Sequence, residues 1–187
     1  MQGAELPALA GWESFYVITG SSAAALTGLM FVVITLVSET RRQQSSDALS
    51  AFATPSVVHF GAVLLLAAIL STPGQTALSL SVCLTVCGAA GVVYSTRVIA
   101  RVVRQHAYEP VFSDWLWYLL LPVVCYLGLL AAAVVLHAHA VVGLYIVGAV
   151  DLMLLYVGMH NAWDTAMWMA VHPRAVESND SVSSADG

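Results

Sequence analysis

The sequence predicts an all-α integral membrane bundle of five transmembrane helices, with the N-terminus outside and the C-terminus in the cytoplasm. Three observations carry that expectation. Only 17 of the 187 residues are formally charged, 6 basic and 11 acidic, or 9% where a soluble domain carries roughly 25%. Mean hydropathy is +0.83, too apolar for a water-exposed surface, which excludes a soluble enzyme, a nucleic-acid binder and a disordered chain. Several apolar runs exceed the ~18 residues of a spanning helix, and none shows the short alternation of a membrane β-strand.

The elements follow in order. The first span is expected from Phe15 to Val37, the second from Leu49 to Leu70 and the third from Thr76 to Ala100. The fourth runs from Phe112 to Leu136 and the fifth from Ala140 to Ala170. The first span lacks a basic leader and is followed by Arg41-Arg42, so a retained span is expected rather than a cleaved signal. Ser71-Thr72-Pro73-Gly74-Gln75 reads as a tight turn, because Pro presets φ and Gly accepts a positive one. His137-Ala138-His139 is the break before the last span. Residues 1–172 thus form one transmembrane domain, and the polar stretch 173–187, rich in Ser, Asp and Asn, is expected to be a disordered cytoplasmic tail.

Orientation rests on arginine, since the chain contains no lysine. Arg41 and Arg42, then Arg97, Arg101 and Arg104, then Arg174 all fall on one side of a five-span chain, and the opposite side holds none. The positive-inside rule makes that side cytoplasmic, as expected for a multi-pass protein of a cell inner membrane. Trp12 marks the outer interface, whereas Trp115, Trp117, Trp163 and Trp168 mark the inner one. Arg97, Arg101 and Arg104 share one helix face, suited to anionic lipid headgroups or to an anion-collecting vestibule.

Two stripes of small residues allow close helix approach. The first span carries Gly20, Ala24 and Gly28; the third carries Ser79, Cys83, Cys87, Gly91 and Ser95. In lipid, association depends on such approach, so both read as packing faces and together predict a homo-oligomer. The second stripe also admits a pore-lining or soft-metal reading through its cysteine pair, although one pair falls short of a thiolate metal site. No metal is expected, and the cysteines, all within spans, imply no disulfide framework.

The polar groups inside the spans are the candidate functional residues. Asp151 lies about 11 residues, or roughly 17 Å, from the outer end of the fifth helix. A carboxylate there costs about 2.5–3.5 kcal/mol on insertion scales, so it must face protein or water, or be protonated. Gly148, Gly158 and Thr165 fall within about 60° of it on a helical wheel. His160 and Asp164 are one turn apart, so the carboxylate can hold the imidazole tautomer. His160, Asn161, Asp164 and Trp168 share an arc of about 100°, expected to face protein or a water-filled vestibule, with Arg97 or Arg101 as a partner for Asp164. His59, one turn after Pro55, is at a depth similar to that of His160, and two such imidazoles could ligate a b-type haem.

The run Ala23-Ala24-Ala25-Leu26-Thr27-Gly28-Leu29-Met30-Phe31-Val32, together with His160-Asn161-Ala162-Trp163-Asp164, resembles an uncharacterised family of small bacterial multi-span inner-membrane proteins. The resemblance covers the first and last helices and implies location without assigning chemistry. Three functional classes follow from the residues. The first is an oligomeric ion or small-solute pathway lined by Asp151, His59, His160, Asn161 and Asp164. The second is a redox module holding haem or quinone through His59 and His160; the third is an accessory or scaffold for another membrane protein. No catalytic dyad, HExxH or phosphate loop is present, so no enzymatic activity is expected.

Overall fold

The computed structural model describes residues 7–40, 46–104 and 115–171, with side chains for 8–36, 55–100 and 115–167. A short 3-10 helix, Pro7–Trp12, leads into α1, Glu13–Thr40. Then come α2, Ser46–Leu70, and α3, Ala77–Arg104. A π-helical segment, Trp115–Leu120, continues into α4, Leu121–Ala138, and α5 spans Ala140–Val171. No strand occurs among the described residues. The expected tail, Arg41, Arg42 and Arg174 lie outside them, as do the side chains of Arg101, Arg104 and Trp168.

Four segments are individually long and apolar enough to cross a membrane: Ala8–Leu36, Ala77–Ala100, Trp115–Ala138 and Ala140–Met167. The second helix contributes the apolar stretch Pro55–Leu70. The burial pattern is that of a membrane protein. Val17, Phe31, Leu78, Val86, Val134 and Trp163 are exposed, while Thr19, Ser56, His59, Asp151, Asn161 and Thr165 are buried. Outside a bilayer that arrangement would waste the hydrophobic effect; within one it satisfies both surfaces.

The helices run up and down, and α5 is the hub. It packs against α4 and α2 and also touches α1; α1 lies against α2, and α3 against α4. Consecutive α2 and α3 touch only slightly, so the Pro73 turn links helices whose main neighbours differ. Gly74 takes the positive φ, 73°, that the turn requires. Thr76 and Ser79 then start α3 with reciprocal bonds: the Ser79 amide donates to Thr76 Oγ1 at 3.1 Å and the Thr76 amide to Ser79 Oγ at 3.0 Å. The other turn is tighter. Only His139 separates α4 from α5, and its amide donates to the Val135 carbonyl at 2.8 Å.

The expected stripes divide between inside and outside. Gly20 meets α2, where an added Cβ would stand 2.8 Å from Ala67 Cβ. Ala24 and Gly28 point outward, with nothing within 4 Å of a Cβ placed at Gly28. The inward face of α1 is instead Tyr16, Thr19, Gly20, Ala23 and Met30. On α3, Ser79 is exposed in the capping turn rather than on a packing face, Cys83 and Cys87 are half-buried, and Gly91 is buried. A Cβ at Gly91 would fall within the Tyr126 ring, and one at Gly88 would stand 2.9 Å from the Leu130 side chain. Ser81 Oγ donates to the Ala133 carbonyl at 2.9 Å, a further tie between α3 and α4.

Candidate functional site

Polar groups meet the hub helix at three levels, named outer, middle and inner after the orientation expected from the arginines. At the outer level, Gly148 lets Trp12 lie against the α5 backbone, since a Cβ there would be 2.6 Å from the indole. Trp12 stacks on Tyr16, with centroids 6.0 Å apart, and meets Tyr145 edge-on at 5.0 Å. One turn further in is Asp151, 0% exposed. Thr19 comes near enough to the Asp151 carboxyl to interact with it, in a geometry short of a hydrogen bond, and the carboxylate field reaches Tyr16. Both Asp151 oxygens, Thr19 Oγ1 and the Tyr16 hydroxyl are buried without a hydrogen-bond partner. Buried polar atoms are nearly always paired, so the unpaired carboxyl and the two unpaired hydroxyls of α1 depart from the norm.

The middle level centres on His59, 1% exposed, whose Nδ1 lies 3.1 Å from the Tyr126 hydroxyl. Tyr94 approaches the same imidazole edge-on at 6.4 Å. Tyr126 occupies its place because Gly91 leaves room for the ring, so the absent side chain on α3 positions the partner of a histidine on α2. Beside it, Phe60 fills the notch at Gly158, where a Cβ would come within 2.7 Å of the ring. That antiparallel contact brings buried Ser56 on α2 to the level of Asn161 on α5.

At the inner level the arc expected to point one way divides. Asn161 is fully buried, with neither side-chain polar atom hydrogen-bonded. His160 is half-buried, and its Nδ1 lies 3.4 Å from Asp164 Oδ2, with side-chain exposures of 28% and 46%. Trp163 is exposed, so the outward part of the arc meets a lipid-facing surface. Asn161 and Asp164, three residues apart, are separated by about 60° round the helix, and at this helix contact Asn161 turns inward while Asp164 is exposed. Asp164 therefore pairs within its own helix. Arg97 sits on α3, which has α4 rather than α5 as its packed neighbour, and Arg97 forms no ion pair with Asp164 among the described residues.

The sequence reading missed the aromatic partner of His160. Trp117 stacks on its ring with centroids 4.0 Å apart and planes only 8° from parallel. Pro122 supplies the local cause: it has no amide to donate to the preceding turn, and the helix widens into its π-helical segment just before it. The Tyr118 hydroxyl lies 3.5 Å from the Asn161 carbonyl, which also accepts from Thr165 Oγ1 at 2.8 Å. Pro122 was the available signal in the sequence; Thr19 and Tyr16 had none, because a uniformly apolar helix does not show which face turns inward.

The structure thus gathers Asp151 with α1, His59 with α3 and α4, and His160 with Asp164 and Trp117. It does not bring the five polar candidates into one cluster, and His59 and His160 engage different rings. Among the described residues, no group of three or more His, Cys, Asp or Glu side chains is placed to hold a metal. Nothing matches the chain among protein-family models, curated proteins or solved structures.

Proposed function

We propose that the protein is a multi-pass inner-membrane protein that passes a small cation along the inward face of α5, with Asp151 as its principal binding group. The observation that carries this reading is the fully buried carboxyl whose oxygens have no hydrogen-bond partner. Intramembrane carboxyls are costly, and they mark ion or proton routes where they face a protein interior. Asn161, about 15 Å further along the helix, supplies a second buried and unpaired polar station. Ser56 and the His59–Tyr126 pair, on neighbouring elements, lie near the level of Asn161. The separate engagement of the two histidines favours this reading over a bis-imidazole redox module.

Self-association belongs to the same proposal. Ala24 and Gly28 present a small, open strip on the outer side of α1, the kind of surface through which helices approach closely in lipid.

The test is flux in reconstituted vesicles carrying a potential-sensitive dye and exposed in turn to Na+, K+ and pH gradients. Wild-type protein is expected to dissipate at least one cation gradient faster than empty vesicles, and Asp151→Leu to abolish the difference. Wild-type protein indistinguishable from empty vesicles under all three gradients would overturn the reading.

A further inference from the structure

The outer level has features that choose among cations. Asp151 is the only fully buried acidic side chain among the described residues, so when ionised it places a single negative charge there. A monovalent cation balances that charge, whereas a divalent one would leave a buried net charge at a cost of several kcal/mol. Beside the carboxyl, the Thr19 and Tyr16 hydroxyls are buried without a hydrogen-bond partner and keep their oxygen lone pairs. Hard cations take oxygen ligands, and a carboxylate with two neutral hydroxyls is such a set. Trp12, Phe15, Tyr16 and Tyr145 form a ring-on-ring cap toward the outer end: Trp12 contacts the other three, and Phe15 meets Tyr16 edge-on at 5.0 Å. The rings cover the carboxyl on that side, although Tyr145 itself is exposed, and a low-dielectric surround strengthens the pull of a carboxylate on a dehydrated ion.

We propose that Tyr16, Thr19 and Asp151 form a binding site for a dehydrated alkali cation, with the Asp151 carboxylate as counter-charge and the Thr19 and Tyr16 hydroxyls as neutral oxygen ligands. This deepens the cation-pathway reading by naming the class of ion, and it rests on that reading for its physiological meaning. The site itself is testable without transport.

The experiment is thermal unfolding of the purified full chain in mild detergent, titrated with NaCl, KCl or choline chloride at matched ionic strength. A saturable rise of about 5 °C with Na+ or K+ over choline is expected. The rise should vanish in Asp151→Asn. Thr19→Val keeps the side-chain shape and removes one oxygen, so it should raise the half-saturating concentration about tenfold even if Asp151→Asn folds poorly. Identical melting in all three salts would overturn the proposal, as would a half-saturation unmoved by Thr19→Val or an alkali response retained in folded Asp151→Asn. An alkali response without flux keeps this site and removes the pathway; flux without an alkali response does the reverse.

Discussion

Asp151 and Asp164 lie on the same helix about 20 Å apart, and their surroundings are opposite. Asp151 is sealed between α5 and α1 with no hydrogen bond. Asp164 is nearly half exposed and lies within ion-pair reach of His160, whose ring rests on Trp117. The inner arrangement uses polar groups as a membrane protein commonly does at its interface, where a partner and nearby water satisfy them. The outer arrangement retains a buried polar group without satisfying it, a condition that replacement by a hydrocarbon side chain would relieve. In the proposed function, the inner pair is structural and the outer carboxyl binds the ion.

The largest stability effect should come from closing the outer approach. Gly148→Leu would drive Trp12 off α5 and is expected to cost about 3 kcal/mol, read by denaturant unfolding in detergent, because an added side chain at a tight contact forces its neighbours apart. A cost near zero would mean that Trp12 does not seal this level. Trp117→Ala comes next, at about 2 kcal/mol, since it removes a half-buried ring and the stack on His160. If ion flux survives that substitution at the wild-type rate per folded protein, the structural assignment of the inner level is sharpened; loss of flux in folded protein would break it.

Asp164→Ala should lower stability by only about 0.5 kcal/mol, as befits a partly exposed pair one turn apart. A loss several times larger would mean that Asp164 is buried in the membrane-embedded assembly. Gly28→Leu should have the smallest effect on the protomer fold, because nothing stands within 4 Å of the added Cβ. Its effect should appear in the native mass in mild detergent, which is expected to fall toward that of a 19.8 kDa chain. An unchanged oligomer would exclude this strip as the contact.

The contrast also explains what was legible in the sequence. Helix number and the Pro73 and His137 breaks follow from length, hydropathy and turn chemistry, and the structure shows them. The His160–Asp164 pair follows from one-turn spacing. Facing directions were harder to read. In water, polarity separates the two sides of a helix, but α5 meets hydrocarbon on one side and an apolar core on the other, so its pattern carries little directional signal. Ala24 and Gly28 therefore read like Gly20 although only Gly20 turns inward, and Asn161 read like Asp164 although their surroundings differ. Gly88, the Thr19 approach to Asp151 and the Trp117 stack depend on inter-helix register, which no single helix encodes.

The most direct measurement compares two isosteric substitutions in the same vesicles: cation flux per folded protein for Asp151→Asn and for Asp164→Asn. Each replaces an ionisable carboxyl by a neutral amide of nearly the same volume, so packing is held nearly constant. The account predicts at least a tenfold loss of flux for Asp151→Asn and wild-type flux for Asp164→Asn. Equal flux in Asp151→Asn and wild type, or a loss confined to Asp164→Asn, would contradict it.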